Sequence, residues 1–113
     1  MSNKINLSPK EWDAIREVAR ALRFFAEERM YTYIDRIADA FSPNIAVAAL
    51  KDALRALRSE VTRNPNIYLP SENSIEIVIK LLSEKRDSGN VLAALALSFR
   101  PRKTSSKVEG GGS

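Results

Sequence analysis

The sequence predicts an all-α fold, a small helical bundle of four to five helices. Three observations carry that expectation. Apolar residues recur at intervals of three and four through two long stretches, residues 9–29 and 43–63. Each stretch is headed by a Ser-Pro pair, Ser8-Pro9 and Ser42-Pro43, which suits an N-cap followed by proline in the first turn. Strand-like runs are scarce, and the one β-prone segment is Ile75-Glu76-Ile77-Val78-Ile79.

The first helix is expected from Pro9 to about Arg29, some 30 Å long at 1.5 Å per residue. Ser8 and Glu11 have the spacing of a capping box, and Leu7 is placed to staple onto Trp12. Trp12, Ile15, Ala19, Leu22 and Ala26 form its core stripe, widened by Val18 and Phe25. Tyr31 to Phe41 reads as a short linking helix. Ile34, Ile37, Ala38 and Phe41 share one face of it, and Asp35, Arg36 and Asp39 lie off that face. It is too short to be stable alone and must be held by its neighbours.

The second long helix runs from Pro43 to about Arg63, with Val47, Leu50, Leu54, Leu57 and Val61 along its seam. Its alanines allow a neighbour to approach closely. Asn64-Pro65 ends it, because the residue before proline avoids helical geometry. A loop to Ser74 follows, tacked down by Ile67, Tyr68 and Leu69. Asn73 or Ser74 then caps a helix carrying Ile75, Val78, Leu81 and Leu82, with Lys85 and Arg86 near its end. A competing reading pairs Ile75–Ile79 with Asn66–Leu69 as a minor β-hairpin within residues 66–79. Gly89 is expected to stop the helix, and Asn90 to cap a last, centrally placed one with Val91, Leu92, Leu95, Ala96 and Phe99. Buried positions are expected at Trp12, Leu22, Ile37, Leu54, Leu57, Leu81 and Leu95. Residues 1–100 form a single domain in this reading, and residues 101–113 a disordered basic and Gly-Ser tail.

The 113-residue chain has 44% hydrophobic and 28% charged residues, ordinary for a globular protein. It has no cysteine and no histidine, which removes disulfides, thiolate chemistry, Cys/His zinc sites and histidine-dependent triads. No apolar run approaches the roughly 20 residues of a membrane span. Met1-Ser2-Asn3-Lys4 has no apolar region behind it and does not read as a signal peptide, so a cytoplasmic location is expected. The net charge is +4, and most of it sits beyond residue 99 in Arg100, Arg102, Lys103 and Lys107, against Glu109. The folded part is nearly neutral, so only local clustering of charge would point to nucleic acid.

No catalytic constellation and no phosphate-binding glycine loop is present, and no cofactor is expected. Asp35 and Asp39 are four residues apart, but beside Arg36 they read as a solvated face and not as a metal site. Two basic stripes are more informative. Arg16, Arg20 and Arg23 share one face of the first long helix, and Lys51, Arg55 and Arg58 repeat that spacing on the second. Such stripes can follow phosphates without reading bases. No aromatic platform for bases is obvious, with Tyr31, Tyr33 and Tyr68 as candidates.

Two pieces carry a family resemblance: Tyr31-x-Tyr33-Ile34-Asp35-Arg36-Ile37-Ala38-Asp39-Ala40-Phe41-Ser42, followed by the alanine-rich helix, and the late helix Gly89 to Leu97. From about Glu11 to Leu97 the chain resembles the small subunit of the archaeal type I-A CRISPR Cascade complex. The resemblance implies a non-catalytic subunit of an RNA-guided antiviral complex. Its partners would be the other subunits of the effector complex, guide RNA and target DNA, with self-association along the complex and no membrane. In such complexes guide pairing supplies specificity, so the subunit needs only a sequence-blind basic surface and subunit contacts. The main rival is a helical protein–protein adaptor that never touches nucleic acid. A free-standing DNA-binding protein fits less well, because the loop after the second long helix is unlike the short turn of a helix-turn-helix.

Overall fold

The computed structural model describes residues 6–84 and 87–99. They form five helices: α1 (Pro9–Glu27), α2 (Tyr31–Ala38), α3 (Pro43–Val61), α4 (Glu72–Glu84) and α5 (Ser88–Ser98). The expected helical bundle is present, and no strand occurs among the described residues. Lys85, Arg86 and the expected tail lie outside the described residues.

Local chemistry accounts for most helix ends. The Ser8 hydroxyl accepts from the Glu11 N–H at 3.2 Å, and the Ser8 N–H donates to the Glu11 carboxylate at 2.9 Å, completing the expected capping box. α1 stops two residues before Arg29. Arg29 takes a left-handed conformation (φ 60°), the Met30 N–H donates to the Phe25 carbonyl at 2.6 Å, and the Arg29 N–H to the Ala26 carbonyl at 3.1 Å. This pair of reversed bonds satisfies the last carbonyls and turns the chain into α2. Ser42 caps α3 by accepting from the Ile45 N–H at 3.3 Å.

α4 is capped one turn earlier than expected. Ser71, and neither Asn73 nor Ser74, supplies the oxygen, which accepts from the Ser74 N–H at 3.2 Å. The β-hairpin is overturned: Ile75–Ile79 is helical, which lays Val78, Leu81 and Leu82 on one buried face. Its expected partner is turned instead, with the Ile67 N–H bonded to the Asn64 carbonyl. Gly89 and Asn90 also differ from expectation. Both lie inside α5, and Gly89 is a contact point. A Cβ there would stand 2.8 Å from the Ile37 carbonyl oxygen, so only glycine lets α5 come this close to α2.

α1 packs along α5 and α4, α3 lies against α2 and α4, and α2 closes onto α3 and α5. Ile15, Leu22, Phe25, Ile34, Ile37, Leu50, Leu57, Leu81 and Leu92 are fully enclosed. Phe25 joins two elements, stacked on Tyr33 of α2 with ring centroids 4.4 Å apart. Leu22, Ile37, Leu54, Leu57 and Leu81 are buried as expected. Trp12 and Leu95 are only half-buried, Trp12 because it lies on the solvent border of the apolar arc, one turn before Arg16. Phe41 is the largest departure. α2 ends at Ala38, so Phe41 falls beyond the helix, off the Ile34–Ile37 face, and stands 76% exposed.

Candidate nucleic-acid interface

The two basic stripes occupy separate surfaces. On α1, Arg16 and Arg20 are exposed, whereas the Arg23 side chain is only 17% exposed. Each has a partner. Arg16 lies 3.9 Å from Asp13 and 5.9 Å from the Trp12 ring centroid, Arg23 is paired with Glu27, and Arg20 lies over the Tyr68 ring at 4.7 Å.

Glu17 shares this face and is fully engaged. One carboxylate oxygen accepts from the Ser74 hydroxyl and the other from the Ser71 N–H, both at 2.6 Å. The Ser74 bond, then the Ser71 bond, hold its pKa below the ordinary 4.5, with smaller contributions from Tyr68 and the Ser71 hydroxyl and partial burial opposing them. Burial and the nearby Glu17 charge push the Tyr68 hydroxyl above the ordinary 10.0. Thus two of the three arginines pair with carboxylates of α1, Arg20 lies over Tyr68, and Glu17 is taken up by Ser71 and Ser74.

The α3 stripe is different. Lys51, Arg55 and Arg58 are exposed on one face, within an arc of about 60° at 100° per residue. Lys51 and Arg58 have no ion-pair partner among the described residues. The Asp52 carboxylate is shared between Arg55 of the same helix at 2.9 Å and Arg36 of α2 at 3.8 Å. Arg36 therefore extends the basic surface from α3 onto α2. Arg36 and Arg55 meet at Asp52, and Lys51 and Arg58 stand exposed on the same α3 face, so that four cations share this side with Asp52 and the groove-lining Asp39. No hydrogen bond or ion pair joins this surface to the α1 stripe among the described residues.

Beside it runs a groove of ≈ 410 Å³ between α2 and α3. Phe41, Ile45 and Ala48 give it an apolar wall, and Arg36, Asp39 and Asp52 its polar rim. Ile45 is 39% exposed. Sequence reasoning missed both Arg36 and the exposed Phe41. The signal for Phe41 was available: Ser42-Pro43 opens a new helix, which leaves little room for α2 to reach Phe41. Arg36 gave none, because its partner Asp52 belongs to another helix. Tyr31 is exposed, and Tyr33 is committed to Phe25. No group of metal-ligating side chains occurs among the described residues, and no helix there is long and apolar enough to cross a membrane.

No curated protein and no solved structure matches the chain. The model of the family described as CRISPR-associated protein (Cas_Csa5) matches residues 21–91, more than half of the chain. That span runs from within α1 to within α5 and contains residues 31–42, which carried the resemblance seen in the sequence. The chain belongs to the Cas_Csa5 family of CRISPR-associated proteins, small subunits of type I-A Cascade.

Proposed function

We propose that this Cascade subunit is non-catalytic and cytoplasmic, and that it holds the phosphate backbone of guide RNA and target DNA without reading sequence. The carrying observation is the α3 surface, where Lys51 and Arg58 stand exposed on either side of Arg55, without an ion-pair partner among the described residues. Arg36 continues the surface across α2. Cations on a rigid helix attract phosphates wherever the chain runs, and guide pairing leaves no need for base recognition. Arg16, Arg20 and Arg23 contribute less on this reading, because Arg16 and Arg23 are paired with Asp13 and Glu27 and Arg20 lies over Tyr68.

The test is a pair of triple variants incorporated into the assembled complex. Changing Lys51, Arg55 and Arg58 to Ala should leave the melting temperature nearly unchanged, since exposed charges contribute little to stability. It should weaken binding of target similarly for all sequences and flatten the salt dependence by roughly one unit of slope per lost cation. The Arg16, Arg20 and Arg23 triple should show a smaller change. Unchanged affinity and salt slope in both variants would reject phosphate binding by these faces.

The charge balance of α1 favours a second role for that helix, the adaptor role, in which its face meets another subunit. Alternating Arg16, Arg20 and Arg23 with Asp13, Glu17 and Glu27 suits a protein surface of similarly mixed charge. Loss of the α1 triple variant from the purified complex, with its free fold intact, is the outcome expected of an adaptor.

A further inference from the structure

The α2–α3 groove lies directly beside the basic α3 surface and presents an exposed ring. Phe41 is 76% exposed. It adjoins Ile45 and Ala48 in an open groove of ≈ 410 Å³. The rim is polar in both senses: Arg36 donates, and Asp39 and Asp52 accept. Asp52 also bridges Arg36 and Arg55, so the groove edge and the cationic stripe are joined by a continuous set of contacts.

We propose that this groove takes one unpaired nucleobase of single-stranded RNA or DNA, stacked on Phe41, while the flanking phosphates lie on Arg36, Arg55 and Lys51. The proposal rests on the phosphate-binding reading of α3 and adds to it a stacking residue, Phe41, beside the phosphate track. Sites that hold single strands combine a basic track with an aromatic ring, and stacking tolerates every base because each has a flat π-face. The charge excess of the surface selects a polyanion over an apolar peptide. The apolar wall, idle in pure phosphate binding, gains an occupant. The rim accommodates any base, since every base edge offers donors or acceptors to an arginine or a carboxylate.

Phe41 is so exposed that its replacement leaves the core intact, which makes the test clean. The full chain at low salt is titrated into labelled oligothymidylate and into the same oligonucleotide with its bases removed, reading fluorescence anisotropy. Phe41→Ala should lower affinity for oligothymidylate about tenfold, within the range of a base–aromatic stack. It should leave the abasic strand unaffected, and Phe41→Trp should restore binding. Equal affinity of the wild-type chain for both strands, or equal loss on both in Phe41→Ala, overturns the stacking site while leaving phosphate binding standing. Normal oligothymidylate binding by Phe41→Ala, with loss of that variant from the purified complex, makes the groove a subunit-docking surface and equally overturns it. Failure of the wild-type chain to bind either strand rejects the phosphate reading and this site together.

Discussion

Glu17 ties α1 to the start of α4 through a single carboxylate. It accepts from Ser71 and Ser74, residues 54 and 57 positions away, and so fixes the N-terminus of α4 where the loop arrives. Its pKa is lowered in the fold, chiefly by the Ser74 hydroxyl. A carboxylate with a depressed folded pKa stabilises the protein above its unfolded pKa and loses that contribution as pH falls through the folded value. Glu17→Gln should therefore melt lower than wild type at pH 7. The gap should shrink as pH falls below 4.5, where the unfolded carboxylate begins to take up a proton, and close as pH passes the lower folded value. Thermal melts followed by circular dichroism across pH 3 to 7 check this, and a constant gap would mean that the charge of Glu17 is irrelevant. None of this was legible in the sequence. Glu17 reads there as one more charge among Arg16 and Arg20, because a contact between distant residues leaves no local pattern. The Ser8 and Glu11 capping box was legible, because both partners lie within one turn.

Element by element, helix faces followed from periodicity, and helix ends followed only where a cap or proline marks them. Ser8-Pro9 and Ser42-Pro43 set the starts of α1 and α3 correctly. Gly89 was misread because glycine most often ends helices, whereas here it serves a crossing of helices. That crossing is testable. Gly89→Ala would gain about 1 kcal/mol in helix propensity but would drive a methyl group to 2.8 Å from the Ile37 carbonyl oxygen. The obstacle is backbone, which cannot rotate away as a side chain would, so α5 must move off α2. A net loss of about 1–3 kcal/mol is expected by denaturant titration, the usual cost of overpacking. A gain in stability would show that the α2–α5 contact is loose. The basic stripes were likewise legible as helix faces. Which stripe keeps its charge was not, because the Arg36–Asp52–Arg55 arrangement forms only when α2 folds back on α3.

Across the whole molecule, α1 makes its most extensive contacts with α5, the helix furthest from it in the chain. Ile15, Val18, Leu22 and Phe25 on α1 and Leu92 and Ala96 on α5 all belong to one core. Ending the chain after Glu84 removes α5 and uncovers that side of α1 and α2. Such a truncation should lose its cooperative thermal transition, and hydrogen exchange should show all remaining helices poorly protected. A sharp transition in the truncated chain would mean that α1–α4 form a stable bundle alone. The same contact has a consequence during synthesis. Glu27, the last residue of α1, is added 61 residues before Ser88, a delay of roughly 3–12 s at 5–20 residues per second. For that interval the apolar side of α1 is made but has no α5 to rest on. The nascent chain must either shelter it or hold it against α2 and α4, and the finished core closes only after the last helix is translated.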